Sequence, residues 1–184
     1  MGWLWLVGKP LPVLALALWV LRAPRSAYRN RLATGLGLSL VGDVLIEGSF
    51  VAGLAAFLLA HVAYTAAFVA DTKRLHLLRA LPVAVYGAGM MALLWPGLGD
   101  LRLPVVAYAM AICTMVWRSA ARVGNTGAPR PGEWAALAGA ILFALSDTLI
   151  ALDRFHSPVP HARIPISLLY WAGQAGIASS ARLR

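Results

Sequence analysis

Apolar segments long enough to cross a bilayer follow one another along almost the whole chain. About 20 apolar residues in helical conformation span the hydrocarbon core, and seven candidates occur between short breaks that carry proline, glycine or charge. They cover residues 3–21, 31–47, 50–70, 77–96, 101–121, 133–153 and 163–181. Only 12% of the residues are charged, against about 25% in soluble domains. The sequence therefore predicts an all-α polytopic membrane bundle of about seven transmembrane helices, forming a single domain over residues 1–184.

The basic residues are distributed unequally between the two sides of this predicted bundle. Twelve of the sixteen lie in the breaks after the first, third and fifth segments or in the C-terminal tail. Because cytoplasmic loops carry an excess of Lys and Arg, the N-terminus is predicted to lie outside and the C-terminus in the cytoplasm. An odd number of crossings agrees with this arrangement. The net charge of +9 thus reflects membrane topology, and no nucleic-acid partner is expected.

Two aspartates lie inside segments that are otherwise apolar. Asp43 belongs to the second segment and Asp147 to the sixth. An ionised side chain near the centre of a bilayer costs at least ~3 kcal/mol on insertion scales. Such residues are expected to face the interior of the protein or a hydrated cavity, which makes the two carboxyl groups the first candidates for chemistry.

Polar residues from six of the seven segments converge at a similar depth. At ~1.5 Å of rise per helical residue, they all fall in the outer half of the membrane. These residues are Lys9, Asp43, His61, Tyr108, Asp147, Tyr170 and Gln174. One face of the third segment carries His61 and Tyr64, and one stripe of the sixth carries Ser146 and Asp147. We therefore predict a polar chamber that several helices share.

Each of these polar residues also has a purely structural interpretation. Asp43 and Asp147 could pair with Lys9 in an ion network that only stabilises the bundle. The Lys9 side chain could instead extend to the membrane interface, and His61 could serve only as a hydrogen bond between helices. A position in the interfacial aromatic belt is the corresponding alternative for the two tyrosines, Tyr108 and Tyr170.

An ordered set of short motifs resembles the YhhN family of membrane proteins over nearly the whole chain. The motifs are Lys9-Pro10, GLSLVGD ending at Asp43, GLAAFLLAHVAYTAAF with Gly53, Phe57, His61 and Tyr64, GAILFALSDTLIA with Gly139, Phe143, Ser146 and Asp147, and YWAGQ with Tyr170 and Gln174. Longer members have another span before the Lys-Pro motif, and this chain is expected to lack it. Characterised members are lysoplasmalogenases. The resemblance therefore implies hydrolysis of the vinyl-ether bond of a lysoplasmalogen to a fatty aldehyde and a glycerophospho-alcohol, with ethanolamine or choline as the head group.

A pair of carboxyl groups suits this reaction. Vinyl ethers hydrolyse by protonation of the outer alkene carbon, and water then attacks the resulting oxocarbenium ion. Two buried carboxyls close together do not both ionise readily, so one stays protonated as the acid while the other remains charged, as in glycoside hydrolysis. Asp43 and Asp147 are the predicted catalytic residues, with Asp147 preferred as the acid because it lies deeper. The predicted substrate-binding residues are Lys9, for the phosphate, and His61, Tyr64, Tyr108, Ser146, Tyr170 and Gln174.

No cofactor or metal ion is expected in this chamber. A nitrogen-rich zinc site needs several histidines, whereas His61 alone lies within a segment and Cys113 is the single cysteine. The expected partners are a lysophospholipid substrate and membrane lipids, and short loops with an Ala/Arg/Leu-rich composition favour a bacterial inner membrane.

Two other functions stay open: a proton-coupled transporter or channel using the same polar residues, and a non-catalytic lipid-binding protein. Two similar halves, which many transporters contain, are not evident in this sequence.

Overall fold

The computed structural model describes residues 8–183, and helices are the regular structure in that range. The seven α-helices are α1 (Pro10–Leu21), α2 (Ala27–Gly48), α3 (Phe50–Asp71), α4 (Leu81–Leu94), α5 (Arg102–Arg122), α6 (Arg130–Phe155) and α7 (Arg163–Ser179). Short 3-10 turns cover Leu77–Arg79, Trp95–Gly97 and Gly99–Leu101. The predicted all-α fold is confirmed for the described part of the chain. The start of the first predicted segment, residues 3–7, lies outside it.

Helix α2 is longer than its predicted segment, because it begins at residue 27 rather than 31. Its first turn is capped by Ser26, whose hydroxyl accepts a hydrogen bond from the Arg29 backbone N–H at 3.1 Å. An N-cap of this kind satisfies a backbone donor that the helix itself leaves unpaired. Polar side chains such as Arg29 and Asn30 lower the hydropathy of this turn, so the apolar pattern alone begins too late.

Four stretches are long and apolar enough to cross a membrane by length and composition. They are Phe50–Asp71, Leu77–Gly97, Gly99–Arg122 and Arg130–Phe155. Large apolar side chains also cover the outside of the bundle, among them Leu78 and Val85, which are 82% and 72% exposed. Such a surface is suited to lipid rather than to water, and the chain is an integral membrane protein. Crossing by the remaining three helices, and the orientation of the termini, stay predictions.

Small residues bring the helices of the bundle into close contact. A Cβ atom on Gly139 of α6 would lie 2.5 Å from the Ile177 backbone nitrogen of α7, and one on Gly173 would lie 2.8 Å from the Phe143 nitrogen. The Phe57 ring of α3 packs directly on α2, at Gly42. Close backbone approach is a main source of helix association in lipid. These contacts fix α2, α3, α6 and α7 around a common interior.

A buried arginine ties the bundle together at the end where α3 and α5 terminate. The fully buried Arg122 side chain pairs with Asp71, with 2.6 Å between Nη2 and Oδ2. Its guanidinium carbon also lies 4.7 Å from the centre of the Tyr28 ring and 5.1 Å from that of Phe68. Arg122 thus joins α5 to α2 and α3, far along the helices from the predicted polar chamber.

Candidate active site

The Asp43 carboxylate is enclosed between α2, α7 and the residue that precedes α1. Lys9 Nζ lies 3.3 Å from Oδ1, and the Tyr170 hydroxyl donates a hydrogen bond to Oδ2 at 2.7 Å. The Asp43 side chain has no exposed surface, and that of Lys9 is 14% exposed. The Lys9 side chain therefore turns inward and forms an ion pair. Extension of this side chain to the membrane interface, one of its two structural alternatives, is not observed.

The Asp147 carboxylate has a different environment, because 15% of its side chain is exposed. The Tyr108 hydroxyl donates a hydrogen bond to Asp147 Oδ2 at 2.5 Å. His61 Nε2 lies 3.9 Å from the same oxygen, and the His61 side chain is fully buried. Neither ring nitrogen of His61 has a hydrogen-bond partner among residues 8–183. Buried polar atoms are nearly always hydrogen-bonded in proteins, so these nitrogens suit a water molecule or a substrate oxygen.

Aromatic packing and electrostatics join the two carboxylates into one cluster. The Phe143 ring packs against a neighbour of each carboxylate, with its centroid 4.8 Å from the His61 ring and 5.3 Å from the Tyr170 ring. The Lys9 ammonium acts electrostatically on both carboxylates, and the Asp43 carboxylate acts on that of Asp147. Within the described residues, no three His, Cys, Asp or Glu side chains are grouped as metal ligands. The predicted residues of α2, α3, α5, α6 and α7 thus meet in one interior.

Three of the predicted substrate-binding residues are engaged by other parts of the protein. The Tyr64 hydroxyl donates to Gln174 Oε1 at 2.7 Å and lies 3.4 Å from the Ser39 hydroxyl. The Ser146 hydroxyl donates to the Ile166 carbonyl at 2.9 Å and so links α6 to α7. None of these side chains lines the groove described below. Their contact with a substrate stays a prediction.

An apolar groove of about 530 Å³ lies between α4, α5 and α6 and reaches Asp147. Its wall follows α5 from Val105 to Ala120 and α6 from Leu137 to Ala151. Those stretches correspond to about 20 Å along the helix axes. The chains of one leaflet occupy half of the ~30 Å hydrocarbon core, so the groove is long enough for one lipid chain. Its volume falls within the ~300–1,000 Å³ typical of ligand pockets.

The wall of the groove also includes Tyr86 and Thr148, which were not among the predicted site residues. The Tyr86 hydroxyl of α4 lies 2.8 Å from the Thr148 hydroxyl of α6, which itself donates to the Ala144 carbonyl. Thr148 directly follows Asp147, and this adjacency was the available signal in the sequence. Tyr86 gave no such signal, because a tyrosine in an apolar segment fits a lipid-facing position equally well.

A second, smaller cavity of about 50 Å³ also reaches Asp147. It is bounded by Tyr108 and Asp147 on one side and includes Phe50 and Phe155. The Arg154 guanidinium stacks on the Phe50 ring, 3.9 Å from its centroid. The Asp147 carboxylate therefore lines both the long apolar groove and a small cavity near the end of α6. An amphiphile can be bound there with its reactive bond beside a carboxyl group.

Comparison with known proteins gives one consistent result. The model of the YhhN family matches residues 4–181. The lysoplasmalogenase TMEM86B of Sus scrofa is 39% identical over 188 residues, which cover 97% of this chain and 76% of that protein. The lysoplasmalogenase TMEM86B of Homo sapiens is 38% identical, with 98% and 76% covered. A lysoplasmalogenase of Mycobacterium tuberculosis is 32% identical, with 82% and 60% covered. No solved structure matches this chain.

Proposed function

This chain belongs to the YhhN family, and we propose that it hydrolyses the vinyl-ether bond of lysoplasmalogens. The products are a fatty aldehyde and a glycerophospho-alcohol, with ethanolamine or choline as the head group. The names of its relatives support this activity. The single observation that carries it to this chain is the Asp147 carboxyl group, which lies in the wall of an apolar groove long enough for one lipid chain.

The substrate binds with its alkenyl chain in the groove and its vinyl ether beside Asp147. The groove is lined almost entirely by apolar side chains, and Tyr108 and Asp147 lie near one end of it. A chain that fills the remaining length brings its polar end to these two residues. The head group then points toward the ends of the helices, where it meets the hydrated surface of the membrane.

Asp147 acts as the general acid in this proposal. The Tyr108 hydroxyl donates to Oδ2, which leaves Oδ1 to carry the proton. That proton goes to the outer alkene carbon, and the positive charge of the resulting oxocarbenium ion is stabilised by the carboxylate left behind. Water adds to the carbon bonded to oxygen and returns a proton to Asp147. The hemiacetal then collapses to the aldehyde and the free hydroxyl of the glycerol, and the acid is regenerated.

The neighbouring residues hold the reactants rather than exchange protons with the alkene. His61 orients the attacking water through a ring nitrogen that has no partner in the described part of the chain. Asp43 stays ionised beside Lys9 and Tyr170 and adds a fixed negative charge near the developing cation. Because Lys9 is paired with Asp43, it maintains that charge in this proposal and does not bind the substrate phosphate.

The enzyme forms a single domain in a bacterial inner membrane, with the N-terminus outside and the C-terminus in the cytoplasm. The excess of basic residues after the first, third and fifth predicted segments supports this orientation. The active site then lies in the outer half of the bilayer. Lysophospholipid substrates reach it from the surrounding lipid.

Release of aldehyde by the purified protein from a lysoplasmalogen tests the proposal. The analogue with a saturated ether should give no aldehyde, because it has no alkene carbon to protonate. In D₂O, aldehyde trapped immediately should carry one deuterium on the carbon next to the carbonyl. Absence of aldehyde from the wild-type protein would refute the activity, and proton flux through liposomes without substrate would favour a transporter instead.

Substitution of the aspartates tests the mechanism separately from the activity. Asp147→Asn should lower kcat by about 10²- to 10⁴-fold, the usual contribution of a general acid, and Asp43→Asn should also lower it. Asp100→Asn is the matched control, because Asp100 is exposed in the turn before α5, and it should keep wild-type activity. If both buried variants retain wild-type rates, the two-carboxylate mechanism is wrong even though the enzyme assignment stands.

A further inference from the structure

We propose that Arg154, at the end of α6, binds the phosphate group of the lysophospholipid substrate. This inference rests on the proposed function and extends it, because none of the predicted site residues lies at this position.

The proposed route follows the two cavities that Asp147 lines. The groove and the smaller cavity share Val105, Tyr108, Asp147 and Ala151 in their walls. The alkenyl chain occupies the groove, since the small cavity, at about 50 Å³, has no room for it. The glycerol end therefore passes through the small cavity, whose far wall includes Phe50 and Phe155.

The Arg154 guanidinium is held by these two rings. Its central carbon lies 3.9 Å from the centroid of Phe50 and 5.9 Å from that of Phe155. No ion pair within the part of the chain that the structure describes includes Arg154. The adjacent carboxylate, Asp153, accepts a hydrogen bond from the Val159 backbone N–H at 2.8 Å. A guanidinium that stacks on aromatic rings keeps its N–H donors for a phosphate, which it can bind through two parallel hydrogen bonds.

The spacing along α6 fits the substrate. Arg154 is seven positions after Asp147, which corresponds to about 10 Å along the helix axis. A three-carbon glycerol connects the ether oxygen to the phosphate, and the long arginine side chain spans the rest. Lys9, which was predicted to bind the phosphate, is paired with Asp43 at 3.3 Å. Arg154 is therefore the cation that both the route and the distance select.

Kinetics with two substrates tests this assignment. One is a lysoplasmalogen and the other is the corresponding 1-alkenylglycerol, which has the vinyl ether but no phosphate. Arg154→Gln should raise KM for the lysoplasmalogen by about 10- to 100-fold, the range expected for loss of a hydrogen bond to a charged group, with little change in kcat. The same variant should leave the kinetics of the 1-alkenylglycerol unchanged, and Arg154→Lys should restore part of the affinity for the lysoplasmalogen.

Arg102→Gln is the matched control. Arg102 begins α5 at the same end of the bundle and also lies over an aromatic ring, with 5.0 Å between its guanidinium carbon and the Trp95 centroid. An equal rise of KM in this variant would mean a general attraction of lipid to the positive surface and would overturn the proposal. So would an Arg154→Gln effect of the same size on both substrates, or on neither. Failure of the wild-type protein to cleave either substrate would instead refute the proposed function.

Discussion

Ala120 lies at the end of the groove away from Asp147, and a larger side chain there should shorten the lipid chain that the enzyme accepts. Tyr108 and Ala120 are twelve residues apart on α5, which corresponds to about 18 Å. The Arg79 guanidinium closes this end, because it donates to the Ala120 and Val123 carbonyls at 2.7 and 2.8 Å. In Ala120→Leu, the added carbons occupy the space that the last carbons of a long alkenyl chain would fill.

The size of the effect follows from packing and not from transfer out of water. The alkenyl chain enters from lipid, which is as apolar as the groove, so burial of the chain contributes little. Forcing extra carbons into filled space costs ~1–3 kcal/mol, which corresponds to about 5- to 150-fold in kcat/KM. Chains too short to reach Ala120 should keep the wild-type value, so the preferred length should move downward.

The assay is aldehyde release from a series of lysoplasmalogens that differ only in the length of the alkenyl chain. Ala107→Leu is the matched control, because Ala107 is exposed on α5 and does not line the groove. Its profile should match that of the wild type. An equal loss of kcat/KM at every length in Ala120→Leu, or an unchanged profile, would refute the placement of the chain in the groove.

Three further substitutions test other parts of the structure. Gly173→Ala puts a methyl group 2.8 Å from the Phe143 nitrogen and should destabilise the protein by ~1–3 kcal/mol. An unchanged Tm in detergent would contradict this packing of α7 on α6. Arg122→Gln removes the buried guanidinium that pairs with Asp71 and should destabilise the fold by ~3–5 kcal/mol. The loss is again measured as a fall in Tm, and a small fall would mean that water replaces the pair. Tyr108→Phe removes the hydrogen bond to Asp147 and should lower kcat while Tm stays near that of the wild type. A lowered Tm with an unchanged kcat would mean that Tyr108 has a structural role only.

The residues of the site that the sequence revealed are those that are unfavourable in lipid. Asp43, Asp147 and His61 stand out in apolar segments because a bilayer tolerates such groups only where protein or water surrounds them. The helices were predictable for a related reason, since a spanning helix needs a long run of apolar residues. The free-energy cost of exposing a residue to lipid can therefore be judged from the sequence alone.

The groove could not be predicted, because its lining residues look like those that face lipid. Val83 and Met90 of α4 line it, whereas Val85 on the same helix is 72% exposed on the outside. The contact between Arg154 and Phe50 could not be predicted either, because Phe50 belongs to α3 and a contact between distant segments has no fixed spacing in the chain. The sequence likewise left open whether Lys9 pairs with an aspartate, which depends on how closely α1 and α2 approach.

Helix α4 covers one side of the groove, yet Leu94 is the one residue of that helix that is buried. A wall so thinly attached leaves the groove accessible from the surrounding acyl chains. The two products of the cleavage then enter different solvents. The aldehyde diffuses sideways into the hydrocarbon, and the glycerophospho-alcohol, which is no longer amphiphilic, dissolves in water. Because the products leave for different solvents, the groove is emptied for the next substrate.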